Sequence, residues 1–229
     1  PPTDAIAQMC GDDTKEIAAW PVDRIQKLVA LDDHQRAALD ELSAASVKAA
    51  QIIKSGCPTK VAFTPTERLG AMEQRIEAMA QAVDTVRQPL DVFYDSLTDE
   101  QKAKFNAGSP PPADKPGRQR GTAQSCTANA PTQWPEAKIQ AALRPNAEQQ
   151  TKLKALQDAA TQAAELLAAS CPAQQPTTPP ARLEAISKRL DTMRTALKNI
   201  RSALDDLYAD LSDEQKAQFN QIGQSGRQS

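Results

Sequence analysis

Four cysteines, a single histidine, several adjacent carboxylates and six arginines at matched positions are the residues of this chain whose types could do chemistry. Cys10, Cys57, Cys126 and Cys171 form no CxxC pair, which argues against a redox or zinc motif. Cys57 and Cys171 each precede a proline with no base nearby, so a bridge fits better than a nucleophile. Two disulfides would place the chain outside the reducing cytosol. Of the three pairings that four cysteines allow, the expectation is Cys10 with Cys57 and Cys126 with Cys171, which makes the bridges equivalent in the two halves of the chain. Each would stabilise its half by about 4 kcal/mol on the chain-entropy model. His34 has no second imidazole to share a metal with, and zinc sites want several N or S ligands. Asp99–Glu100 and Asp205–Asp206 read as helix-end carboxylates facing water. There is no glycine-rich phosphate loop. The chain is therefore not expected to be an enzyme, and it calls for no cofactor and no metal.

Arg68, Arg75 and Arg87 recur as Arg182, Arg189 and Arg201. Their plain reading is edge pairing with carboxylates such as Asp91 and Asp205. The sharper reading makes them a cationic border to an apolar surface where acidic or unfolded segments dock. Lys115, Arg118 and Arg120 lie among prolines without interleaved aromatics, which suits a tether and argues against a nucleic-acid site.

The elements that must position these residues show in the apolar spacing. Leu183, Ile186, Leu190, Met193, Leu197, Ile200, Leu204, Leu207 and Leu211 recur at three and four, a heptad seam on one long helix. Leu69, Met72, Ile76, Met79, Val83, Val86, Leu90, Phe93 and Leu97 form the same seam 114 residues earlier. The methionines read as core rather than as adaptable surface. One unit is thus written twice, and the halves stay in register from Trp20 to Asn106 and from Trp134 to Asn220. With aromatics at 3%, strands would have little to pair, so the fold class expected is all-α. It comprises two repeated units of about four helices, 1–107 and 126–229, joined by a proline-, glycine- and serine-rich linker at 108–125. The first unit carries 12 Lys+Arg against 17 Asp+Glu and the second 12 against 11. No apolar run nears the roughly 20 residues of a membrane span. Pro1 and Pro2 open a polar segment without a visible signal peptide, so the chain reads as a mature or trimmed product.

Helix boundaries follow from capping. Trp20–Pro21 predicts a first helix ending near Leu31. Asp32 with Gln35 is a capping box for a second helix closed by Gly56, Cys57 and Pro58. Thr64, Pro65 and Glu67 start the long helix, which runs through Pro89 to about Ser96. Thr98 with Gln101 opens a short fourth helix. Asn146 with Gln149 and Ser212 with Gln215 repeat the boxes, with Pro145 replacing a leucine at the weaker of the two. Lys102 and Lys216 at the fourth helical positions leave no hydrophobic staple.

Leu31, Asp32 and Gln35, then Leu97, Thr98 and Gln101, and finally Leu211, Ser212 and Gln215 spell a Leu-(Thr/Ser/Asp)-x-x-Gln pattern, which Asn146 and Gln149 keep in weaker form after Pro145. A helical chain so marked resembles the LTxxQ-motif proteins of the bacterial envelope, the Spy/CpxP family of periplasmic chaperones and stress regulators. The resemblance implies four-helix antiparallel dimers that form a curved cradle and hold unfolded or partly folded clients without nucleotide. It makes this chain an expected periplasmic, ATP-independent holdase, with a module docking one defined envelope protein as the alternative. The fused copies imply a monomer acting as an intramolecular pseudo-dimer, or else a homodimer.

Overall fold

The computed structural model describes residues 22–60, 62–108, 136–172, 174 and 176–225. Among them are eight helices and no strand: α1 Val22–Leu28, α2 Asp33–Ser55, α3 Pro65–Ser96, α4 Asp99–Gly108, α5 Glu136–Leu143, α6 Ala147–Ala169, α7 Pro179–Asp210 and α8 Asp213–Ser225. The all-α class and the two repeats of four helices are as expected. Trp20, Pro21, Cys10, Cys126 and the linker at 109–125 lie outside the described residues.

The starts of these helices are chemically explicit. Asp32 caps α2 with both halves of the box formed, and Gly56 closes it by donating to the carbonyls of Ile52 and Lys54. Asn146 caps α6 in the same complete form despite Pro145, so this box is no weaker than the other. At α3, Thr64 Oγ1 accepts from the Glu67 N–H at 3.1 Å while the Glu67 carboxylate accepts from the N–H groups of Thr64 and Phe63. Those bonds, Thr64 first, hold the Glu67 carboxyl below the usual carboxylate range. α1 ends at Leu28, short of the expected Leu31, because Val29 and Leu31 turn inward ahead of the Asp32 cap. α3 continues through Pro89. Each long helix has 32 residues, about 48 Å at 1.5 Å per residue.

The described residues fall into two compact units that cut across the sequence repeats. The first gathers those within 1–59, 74–128 and 171–191. Its core is built from Ile25, Val29 and Leu31, from Leu39 and Leu42 of α2, from Leu90, Phe93 and Leu97, and from Phe105 of α4, with Leu183 of α7 packed against it. Phe93 and Phe105 meet edge to face at 5.5 Å. Further along, Ala49 and Ile53 pack on Ala82, small residues that bring α2 close to α3. The second unit gathers those within 60–73, 129–170 and 192–229. Ile139, Leu143, Leu153, Leu156, Leu204, Leu207, Leu211 and Phe219 form its core, and Leu69 of α3 packs against it. Each core therefore takes a residue from the start of the other repeat's long helix. Both leucines are only partly buried, so each contributes less than the about 1.5–3 kcal/mol of a fully buried leucine.

Candidate functional site

The box glutamines do more than cap their own helices. In the first repeat, the Gln35 Oε1 accepts from the Asp32 N–H at 3.1 Å, and its Nε2 donates to the Ser96 carbonyl at 2.8 Å and to the Gln101 Oε1 at 2.9 Å. Gln101 answers in kind. Its Oε1 accepts from the Thr98 N–H at 2.9 Å, and its Nε2 donates to the Ala30 carbonyl at 2.7 Å and to the Gln35 Oε1 at 3.0 Å. Both amides thus use two donors and two acceptor positions, the full capacity of a glutamine side chain. A glutamate would lack the donors, and an aliphatic residue would strand four partners. Gln35 is 4% exposed, so its satisfaction is a condition of its burial.

The second repeat reproduces this clasp. Gln149 Nε2 donates to the Asp210 carbonyl at 2.8 Å, and the Gln149 and Gln215 amides exchange bonds at 3.0 Å each way. One detail shifts: Gln215 Nε2 donates to the carbonyl of Leu143, whereas Gln101 uses Ala30, the match of Arg144. Arg144 takes φ 44°, a left-handed turn that re-aims this carbonyl ahead of Pro145. The box leucines Leu31, Leu97 and Leu211 are all buried beneath the clasps. Where the staple is missing, Lys102 and Lys216 lie over the rings of Tyr94 and Tyr208 at 5.4 and 5.6 Å. Sequence reasoning saw four separate boxes. The signal for their pairing was present, since both glutamine pairs are 66 residues apart.

This glutamine-closed geometry coincides with a family pattern. The model described as LTXXQ motif family protein matches residues 17–108 and 131–223. The chain belongs to the LTXXQ motif family. It does so as a tandem of two copies, and membership in this Spy/CpxP-like family supports an envelope-stress-associated role. No curated protein and no solved structure matches the chain significantly.

In this LTXXQ protein the six candidate arginines lie in unlike settings. Arg182 donates to the carbonyls of Pro176 and Thr177, tying down the loop before α7. Arg201 pairs with Glu73 at 2.6 Å and with Asp205 at 3.2 Å, and these carboxylates, Glu73 first, push its guanidinium above the ordinary arginine range. Arg87 lies 3.8 Å from Asp84, with its Nε buried and lacking a hydrogen-bond partner. Arg189 is buried, while Arg68 and Arg75 are half-exposed. Cys57 and Cys171 are disulfide-bonded. His34 is exposed in the first turn of α2. Among the described residues there is no cluster of His, Cys, Asp or Glu able to hold a metal, and no helix is long and apolar enough to cross a membrane.

The seams are sealed unequally along their length. Leu90, Phe93 and Leu97 at the end of α3, and Leu204, Leu207 and Leu211 around the end of α7, are buried. Leu69 and Met79 are half-buried, and Met72 is 52% exposed, a correction to its reading as core. Phe63, just before the α3 cap, is 65% exposed because Arg68 stands where a staple partner would cover it. In the second unit α6 and α7 also border an open groove of about 530 Å³ lined by Lys152, Asp158, Gln162, Asn199, Ser202 and Asp206.

Proposed function

We propose that this chain is a periplasmic, ATP-independent holdase that takes unfolded or stress-damaged envelope proteins on the open end of its α3 seam. The observation that carries the reading is the exposure of Phe63 and Met72 beside half-buried Leu69, within a helix whose opposite end is closed. An adaptable methionine and an aromatic ring suit clients of varied sequence. Arg68, one turn from Met72, supplies cationic attraction for acidic or unfolded segments; the other five candidate arginines are secondary contacts in this reading. Each core is completed by the same chain's other repeat, which supports a monomer acting as an intramolecular pseudo-dimer. Bridges within each half, Cys10–Cys57 and Cys126–Cys171, complete the proposal for an oxidising compartment.

Light scattering from an aggregating client, at substoichiometric to equimolar ratios of this protein, tests the reading. Suppression that weakens severalfold in Met72→Lys, with helicity retained, supports it; no suppression by the unaltered chain at any ratio removes it. The groove between α6 and α7, where Ala155, Ala159 and Ala203 lie among charged and polar side chains, favours a second reading, docking of one defined envelope partner of matched mixed character. A pull-down that yields one stoichiometric partner, together with no effect on aggregation, would select that alternative.

A further inference from the structure

Six large apolar side chains stand exposed among the described residues: Leu28, Val47, Phe63, Met72, Val92 and Leu166. Five are plain hydrocarbon. Met72 alone carries a thioether, whose sulfur lone pair reacts with two-electron oxidants. It lies on α3 within the second compact unit, in the same stretch as Phe63 and half-buried Leu69. The other described methionines, Met79 and Met193, are half-buried in their seams. The α7 seam has Ile186 at the position matching Met72, half-buried and without sulfur. The seam pattern therefore accepts a branched hydrocarbon here, and packing does not demand the thioether.

The 52% exposure of Met72 also decides what oxidation does to the fold. A sulfoxide is a strong dipole, and in a closed core its oxygen has no donor. At Met72 that oxygen reaches water, so α3 keeps its packing while its open face turns polar. The cost of burying the sulfoxide then falls on whatever binds there.

We propose that Met72 is an oxidative modification site, at which sulfoxide formation by peroxide lowers the affinity of the α3 face for unfolded clients. It rests on the holdase reading of that face. The Sδ lone pair attacks one peroxide oxygen, the O–O bond breaks, and after proton transfer the second oxygen leaves as water. Sulfur has lost two electrons and gained one oxygen, and the peroxide is reduced. A sulfoxide reductase, supplied with two electrons and two protons by a dithiol, restores the thioether and releases water. Oxidant thus empties the face, and repair re-arms it.

The test treats the full-length protein with graded hydrogen peroxide, reads each methionine by peptide mass spectrometry, and follows suppression of client aggregation by light scattering. Met72 is expected to convert about fivefold faster than Met79 or Met193, with far-UV circular dichroism unchanged. Once Met72 is converted, about tenfold more protein should be needed for equal suppression. The triple variant Met9→Leu, Met79→Leu, Met193→Leu keeps Met72 as its one methionine and should weaken on oxidation to the same degree. Met72→Ile, whatever its starting level, should not change on oxidation. Undiminished suppression by the Met72 sulfoxide form or by the oxidised triple variant overturns the proposal and leaves the holdase reading standing. Equal oxidation rates at the three described methionines, or a loss of helicity that parallels the loss of suppression, overturn it likewise. No suppression by the untreated chain removes both. Should the triple variant not fold, Met72→Ile decides: weakening on oxidation overturns the proposal, and constancy supports it.

Discussion

Removing either glutamine of a clasp should damage the fold, and removing both should damage it by less than the sum. Gln35 and Gln101 each make four bonds, but two of these are shared, so the clasp holds six. At about 0.5–1.5 kcal/mol per bond, with a discount for the partly exposed Gln101, Gln35→Leu or Gln101→Leu should each cost about 3 kcal/mol. The double variant loses six bonds rather than eight. The two singles therefore overcount by the shared pair, and the coupling energy should be about 2 kcal/mol. Urea unfolding followed by far-UV circular dichroism on the four members of the cycle measures it. Additivity within about 0.5 kcal/mol would refute the claim that the amides act as one unit. The same cycle on Gln149 and Gln215 should return a similar coupling, since its bonds match in kind and length.

Three further outcomes are expected from the backbone. Gly56→Ala would set a Cβ 2.3 Å from that of Ala78, and since Gly56 has an ordinary φ of −77° the effect is purely steric; a loss of about 1–3 kcal/mol in urea melts is expected, and a neutral result would refute the close approach of α2 to α3. Arg144→Gly should stabilise by about 1 kcal/mol by relieving the left-handed φ of 44°, read as a raised thermal midpoint. Pro89→Ala should restore a helical N–H in α3, as Ala203 provides in α7, and stabilise by about 2–3 kcal/mol in the same assay.

Much of the fold was legible because helix grammar is local. The heptad seams, the caps at Asp32, Thr64 and Asn146, and the closing Gly56 are each written within a few consecutive residues, and the structure repeats them almost position for position. Local rules failed where the outcome depended on distant neighbours. Met72 has the spacing of a core residue, yet its exposure turns on whether another helix covers that stretch of the seam. Arg189 and Arg201 looked like equivalent edge cations; one is buried beside Cys171 and the other is paired with Glu73, 128 residues away in sequence.

The amino-acid sequence alone determined that this chain is helical, doubled and marked four times by a capping glutamine, because periodicity and end-capping are set by side chains within one or two turns of each other. Only the tertiary structure decided that the glutamines close in pairs, that Leu183 completes one core and Leu69 the other, and that one end of a seam stays open. Those are choices among long-range partners, and each depends on the loop closures and packing of the whole chain rather than on any single segment.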